Sequence, residues 1–212
     1  MTIKTFNNND MRQNVYLYYD VESGEGVLID AGCSKADIDA VASFIGEDRI
    51  KVKGILLTHG HFDHIIAVDE LKNLTSAVVC SHEMEKQVLE NPDINLSVRF
   101  GMDIAVTPGQ LFNDNDIFQF GNTTLKVIHT PGHTSGGVCY YDEENGNLFA
   151  GDTLFKASMG RTDLPTGDNG ELVKSIVGKL LTLPDDTKVY SGHGTSTSIG
   201  REKRHFSEVS HV

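Results

Sequence analysis

The run Gly54-Ile55-Leu56-Leu57-Thr58-His59-Gly60-His61-Phe62-Asp63-His64 joins an apolar, strand-like segment to four potential metal ligands: His59, His61, Asp63 and His64. Imidazole and carboxylate are the ligands divalent zinc takes when thiolates are absent, so ligands this dense at a strand's end point to a metal site. A catalytic zinc uses three protein ligands and keeps one position for water. Neighbouring side chains point in different directions, so His59 and His61 can serve one ion while Asp63 and His64 serve another.

Upstream, Val15-Tyr16-Leu17-Tyr18-Tyr19 and Gly26-Val27-Leu28-Ile29 flank Ser23-Gly24-Glu25, which predicts a hairpin ending at Asp30-Ala31-Gly32. The tyrosines alternate as in an ordinary strand. Ser34, with Asp37 three residues on and Ile38, Val41, Phe44 and Ile45 at helical spacing, predicts a capped helix over about 35–46. Residues 52–58 read as a strand, and Asp63 is expected to cap a helix carrying Ile65, Val68 and Leu71. The motif then lies on a strand-to-helix loop. Asp30 is expected to hydrogen-bond a ligand histidine or Thr58, or else to cap the turn before Ser34.

Downstream, 77–80 reads as a buried strand, and Ser81 as the start of a helix with Met84 and Val88 on one face and His82 exposed at its beginning. No element is assigned with certainty between Pro92 and Gly109. Short strands are predicted at 117–120, 124–129, 137–141 and 147–150, an antiparallel series. Asp168 and Glu171 resemble a capping box before Leu172, Ile176 and Leu180, and 188–190 returns as a strand. The order strand-acid, helix, strand-histidine therefore occurs twice, ending first at His59 and then at His193. Two such halves facing each other would bring both histidines to one edge, where strand ends carry active sites.

Three further candidates sit beside glycines: His133 in Thr130-Pro131-Gly132-His133-Thr134, Asp152 in Gly151-Asp152-Thr153, and His193 in Gly192-His193-Gly194. With the first cluster they make a set of seven, which suits two metals sharing one carboxylate. A water held between cations about 3.5–4 Å apart becomes a strong nucleophile near neutral pH. His129 reads as a packing residue or a support for a ligand rather than a ligand itself. The three cysteines, Cys33, Cys80 and Cys139, lie in or beside apolar runs and read as buried reduced thiols.

Composition excludes some classes. The 212 residues are long enough for one large domain, and 18 Lys+Arg against 30 Asp+Glu give a net charge of −12, which disfavours nucleic acid. The first ten residues lack the apolar core of a signal peptide and no later run approaches membrane-spanning length, so a single domain over 1–212 in the cytoplasm is expected. Oligomeric state leaves no mark in the sequence.

The His-x-His-x-Asp-His pattern of His59–His64, with Pro131-Gly132-His133-Thr134, Gly151-Asp152-Thr153-Leu154-Phe155 and Ser191-Gly192-His193-Gly194 in order, resembles the metallo-β-lactamase superfamily over nearly the whole chain. Within it the chain looks most like the glyoxalase II (hydroxyacylglutathione hydrolase) group. The resemblance implies an α/β fold, a four-layer αββα sandwich. It implies two divalent metals, zinc first with iron or manganese as alternatives: one on His59, His61 and His133, the other on Asp63, His64 and His193, bridged by Asp152. It also implies hydrolysis of a small acyl-thiol, with Asp63 and Asp152 positioning the metal-bound hydroxide and Arg161 as the basic substrate-binding residue. A thiolate is a good leaving group, so no strong general acid is needed.

The chain departs from that group around the substrate. Asp163 and Thr195 stand where tyrosines are expected, and the short run after His193 is too brief for a C-terminal helical glutathione-binding domain. Arg201, Lys203 and Arg204 are candidates to meet an acidic substrate group, or form an ordinary solvated helix end; His205 and His211 lie in the same tail, and the latter is expected to be disordered. Antibiotic hydrolysis is not expected, since true metallo-β-lactamases lack a bridging Asp of this kind. The RNA-processing nucleases carry an arm that has no counterpart here. Three alternatives stay open: a lactone or other ester hydrolase; a persulfide dioxygenase with one iron on His59, His133 and Asp152, suggested by Gly160-Arg161-Thr162-Asp163 and the facial ligand arrangement; and a non-catalytic, metal-stabilised binding module.

Overall fold

Alternating apolar residues in the short runs build strands, and the 3.6-residue runs between them build helices laid over the strands. The computed structural model describes residues 1–7 and 11–209; His211 lies outside them. The first half contains β1 (Thr2–Phe6), β2 (Val15–Asp20), β3 (Glu25–Ile29), α1 (Lys35–Glu47), β4 (Lys51–Leu56), α2 (Phe62–Ile65), α3 (Val68–Thr75), β5 (Val78–His82), α4 (Lys86–Leu89) and β6 (Gln110–Phe112). The second contains β7 (Ile117–Phe120), β8 (Thr123–His129), β9 (Val138–Asp142), β10 (Asn147–Gly151), β11 (Leu154–Phe155), β12 (Ser158–Met159), α5 (Asn169–Gly178), β13 (Lys188–Ser191), β14 (Thr197–Ser198) and α6 (Ile199–Val209).

Two six-stranded sheets result, ordered β1-β2-β3-β4-β5-β6 and β14-β13-β10-β9-β8-β7. The hairpin of β2 and β3 is antiparallel, as its turn residues foretell, and β3 to β6 run parallel. In the other sheet β7 to β10 form the expected antiparallel series, and β13 joins β10 in parallel. Each half thus places strand, helix and parallel neighbour in the same order: β3-α1-β4 and β10-α5-β13.

Tyr16, Tyr18, Val27, Ile29 and Leu56 of the first sheet meet Phe118, Phe120, Val127, Tyr140 and Phe149 of the second in one buried cluster. The opposite faces are covered by helices: Val41, Val68 and Leu71 pack on Leu17, Leu28 and Ile55, while Leu172, Ile176 and Ile199 pack on Leu148, Ala150 and Val189. Those contacts make a four-layer αββα sandwich. Tyr16 and Tyr18 face inward and Tyr19 faces α1, the alternation an ordinary strand requires.

α1 is closed by the foreseen capping box, Ser34 Oγ accepting from the Asp37 amide and Asp37 returning the bond to the Ser34 amide. Asp168 caps α5 by accepting from the Glu171 amide, but Glu171 binds Lys174 instead of completing a box. Two cap expectations are corrected. Asp63 lies inside the first turn of α2, whose N-cap is His61, because the Asp63 carboxylate is turned toward His193. After β5 the cap is His82 rather than Ser81: its Nδ1 accepts from the Met84 amide, and the ring is buried on His129, 4.0 Å between centroids and 9° from parallel. The three cysteines are buried and unpaired. Among the described residues no helix is long and apolar enough to cross a membrane.

Candidate metal centre

The sheets are pinned together at one edge, and the chemistry-bearing residues gather there. Val138 donates its amide to the Thr58 carbonyl at 2.9 Å, and Tyr140 Oη donates to the Leu57 carbonyl at 2.8 Å, so the end of β4 is held against β9. Tyr16 Oη donates to the Ser191 carbonyl at 2.6 Å, and the Asn14 side chain donates to the carbonyls of Ser191 and Gly194, each at 3.0 Å. The last residues of β4 and β13 are therefore brought to face each other.

From that edge the seven residues converge. His59, His61 and His133 present ligand atoms within 4.8 Å of one another, and so do Asp63, His64 and His193. His61 Nδ1 lies 2.9 Å from His133 Nε2. On the other side His193 Nε2 is 3.2 Å from Asp63 Oδ2, and His64 Nε2 is 4.0 Å from it. Asp152 stands between the groups: its Oδ2 is 3.7 Å from both His133 Nε2 and His193 Nε2, and its Oδ1 is 3.4 Å from His64 Nε2. Gly192 permits this approach, since a Cβ there would run into Asp152 Oδ1 and lie 2.6 Å from His64 Cε1.

The free nitrogens are aimed by their opposite ring atoms. His64 Nδ1 meets Asp30 Oδ2 at 2.8 Å, His133 Nδ1 donates to the Arg161 carbonyl at 2.8 Å, and His193 Nδ1 donates to the Met11 carbonyl at 3.1 Å. Each bond fixes a proton on Nδ1 and turns Nε2 inward, toward where a metal would sit. His59 Nδ1 lies 3.2 Å from Thr58 Oγ1. Asp30 reaches two of its expected partners at once: Oδ1 accepts from the Thr58 amide at 2.8 Å while Oδ2 holds His64. It does so from a left-handed backbone, φ 61°, a conformation that Asp tolerates better than most residues.

The site has the marks of a cation receptor. His59 Nε2, His64 Nε2 and Asp152 Oδ1 are buried without a hydrogen-bond partner, an arrangement too costly to keep unless something fills it. Burial and the neighbouring imidazoles drive the pKa of His59 far down and that of His61 to about 3, so both rings are neutral ligands. Burial also opposes charge on His64 and Asp152, but their mutual attraction prevails: the carboxylates of Asp30, Asp152 and Asp63 raise His64 well above the usual value, and the imidazoles hold Asp152 well below the carboxylate range. Two carboxylates, Asp63 and Asp152, facing inward-turned histidines suit a divalent metal site.

Two supporting residues escape a sequence reading. Glu85, fully buried, accepts from the Gly60 amide at 2.7 Å, from Thr134 Oγ1 at 2.9 Å and from the Gly136 amide at 2.8 Å, tying the first ligand loop to the one bearing His133. Burial pushes its pKa up to about 7 against those three donors. Tyr16 supports the His193 loop in the same way. Their sequence signals are a surface-like Glu83-Met84-Glu85 and a tyrosine-rich strand, which give no hint of partners so distant in the chain.

A cleft of about 480 Å³ opens onto the centre, lined by His61, Asp63, His133, Asp152 and His193 at its floor and by Phe62, Leu96, Phe100, Phe155 and Leu164 along its walls. Arg161 lines it too, its guanidinium held by Asp163. Of the basic tail residues, Lys203 is engaged by Asp185 and the Leu183 carbonyl, Arg201 lies against Glu202, and neither they nor Arg204 line the cleft. They form the solvated end of α6. His129 donates toward the Ser135 carbonyl at 3.0 Å and stands outside the ligand set.

The family model described as the metallo-beta-lactamase superfamily matches residues 8–193. Among curated relatives, a protein named hydroxyacylglutathione hydrolase GloC from Haemophilus influenzae is 35% identical over 91% of this chain and 91% of its own. Among solved structures, the BLEG-1 B3 metallo-beta-lactamase superposes with a TM-score of 0.88 at 39% identity, covering 96% of this chain and 97% of that one. TTHA1623 in a di-iron-bound form gives 0.82 at 32%, covering 97% and 98%. ETHE1 from Myxococcus xanthus gives 0.80 at 29%, covering 97% and 83%.

Proposed function

The chain belongs to the metallo-β-lactamase superfamily, and on that footing we propose that it is a metal-dependent hydrolase of thioesters with a two-metal centre. The observation that carries the proposal is the pairing of two triads, His59/His61/His133 and Asp63/His64/His193, with Asp152 within 3.7 Å of members of both. The relative named hydroxyacylglutathione hydrolase supports the substrate class, and the di-iron neighbour supports the count of metals. Zinc suits the imidazole and carboxylate donors, and iron or manganese fits the same set.

Divalent cations in this site would supply an activated water and a Lewis acid for the carbonyl oxygen. The protein's own residues hold the reaction in place. Asp152 and Asp63 set the position of the nucleophile, and Asp30 orients His64. The aromatic and aliphatic walls take the acyl-thiol and exclude water from around the carbonyl. A thiol's pKa near 8.5 lets the sulfur leave as thiolate, so the want of a free acid on the cleft floor is no obstacle. Arg161 steadies the His133 ring through its backbone carbonyl, while its guanidinium is paired with Asp163.

The Gly160-Arg161-Thr162-Asp163 run favours a second reading, a persulfide dioxygenase with one iron on His59, His133 and Asp152. The two are separated by turnover assays on metal-loaded protein. Hydrolysis of S-lactoylglutathione, with a chromogenic β-lactam and a lactone cleaved far more slowly, is the expected result. Oxygen uptake on glutathione persulfide without thioester cleavage would overturn it. In the hydrolase reading Asp152→Asn lowers both metal content and turnover; full metal content with unchanged turnover would remove Asp152 from its bridging role.

A further inference from the structure

Resting on the hydrolase reading, we propose that Arg99 is the specificity residue of the cleft and that the substrate carries a carboxylate for it to bind. Two arginines line the cleft. Arg161 is already paired: its Nε and Nη2 donate to the two oxygens of Asp163, each at 2.7 Å, a bidentate contact that occupies the Nε edge of the guanidinium. Arg99 has neither hydrogen bond nor ion pair through its side chain among the described residues, and it is exposed. It is the free cation at the mouth of the site, in a chain whose net charge is −12.

Its position is built. The Asn95 carbonyl accepts from the Phe62 amide at 2.9 Å, so the segment carrying Arg99 hangs directly from the ligand loop. Asn95 is fully buried; its Nδ2 donates to the Ile104 carbonyl at 2.7 Å and its Oδ1 accepts from the Ser97 amide at 2.9 Å, closing the segment on itself. Phe100 stacks on Phe62, 4.2 Å between centroids. Arg99 thus lies in a chain segment whose residues Leu96 and Phe100 line the same cleft as Phe155 and Leu164. An apolar channel with one unpaired guanidinium at its side and acids confined to the metal floor selects an elongated substrate with a distal carboxylate, which Arg can grip through two parallel bonds.

Steady-state kinetics of metal-loaded wild type, Arg99→Gln and Arg99→Lys provide the test. The probes are S-lactoylglutathione, with carboxylates on the thiol half; S-succinyl-N-acetylcysteamine, with one on the acyl half; and S-lactoyl-N-acetylcysteamine, with none. Losing a charge-assisted hydrogen bond lowers kcat/KM of Arg99→Gln by about tenfold or more, through KM, on at least one carboxylate-bearing substrate. The neutral substrate is unaffected, Arg99→Lys recovers part of the loss, and the substrate affected shows which half bears the anion. Equal losses on neutral and charged substrates, or no loss on either charged one, would overturn the assignment. Should wild type cleave none of the three, the hydrolase reading fails on its own, and calorimetric binding of S-hexylglutathione decides the subsite: binding about tenfold weaker in Arg99→Gln upholds it, and equal or absent binding overturns it.

Discussion

Asp30 shows how much a single side chain contributes away from the ligands. It fixes the Thr58 amide and the His64 ring together, so Asp30→Asn keeps the shape but weakens the acceptor behind His64. A loss of about 10–100-fold in metal affinity is expected, measured by competition with a chelating dye; unchanged affinity would make Asp30 merely a turn residue. Protonation adds a second expectation. His64 and His193 are raised above the usual histidine value by the facing carboxylates despite burial, whereas His61 is depressed to about 3 and already neutral. Metal must displace protons from the raised pair, so affinity climbs with pH through and above the ordinary histidine range and binding releases protons. Calorimetry in buffers of differing ionisation enthalpy reads that release; pH-independent uptake would contradict it. In the metal-free protein the depressed His61 adds stability that is full above pH 6.5 and is lost as pH falls toward 3. At this scale the sequence was highly legible, because glycine-flanked histidines and acids at strand ends advertise themselves, while Glu85 and Arg99 carry no local mark of what they face.

Among the elements, the loops after β4, β8, β10 and β13 must be held in register for their ligands to meet. Glu85 does this for two of them from the turn before α4. Glu85→Ala leaves the Gly60 and Gly136 amides and the Thr134 hydroxyl buried without a partner, and a loss of about 3 kcal/mol in unfolding free energy is expected, together with weaker metal binding. Urea denaturation of the metal-free protein checks it, and an effect under about 1 kcal/mol would mean that water takes over the carboxylate's role. α1 and β7 followed from periodicity to within one or two residues, but the one helix expected through Ile65, Val68 and Leu71 is broken into α2 and α3, and the short strands β1, β6, β11, β12 and β14 were not foreseen. Two caps did not follow, although Ser34 and Asp168 hold the places expected of them: Asp63 has the chemistry of a cap but is drawn to His193, and His82 takes a capping role that the local sequence offered to Ser81. Contacts with residues distant in the chain, His193 at the first and His129 at the second, accompany both departures.

Across the whole molecule, the sandwich exists because two sheets share one aromatic core, and its edge bonds through Tyr16 and Tyr140 bring the site together. Phe149 is fully buried there, with ring centroids 5.1–5.6 Å from Tyr18, Tyr190 and Tyr16. Phe149→Ala is expected to cost about 3–5 kcal/mol, a large share of a typical domain's stability, and to lower metal retention as the sheets loosen. Chemical denaturation at fixed metal concentration measures both; a cost near 1 kcal/mol would show that the sheets close without this ring. The repeated strand-acid, helix, strand-histidine order was readable because it depends only on chain order, and it became β3-α1-β4 and β10-α5-β13. Which wall faces the substrate was not, since the segment from Pro92 to Gly109 has little regular structure and takes its position from Asn95. The two-metal centre is tested most directly by elemental analysis of protein purified without added zinc, alongside Asp152→Asn. About two divalent ions per chain, falling in the variant, are expected; a single iron per chain, unchanged by the substitution, would contradict the account.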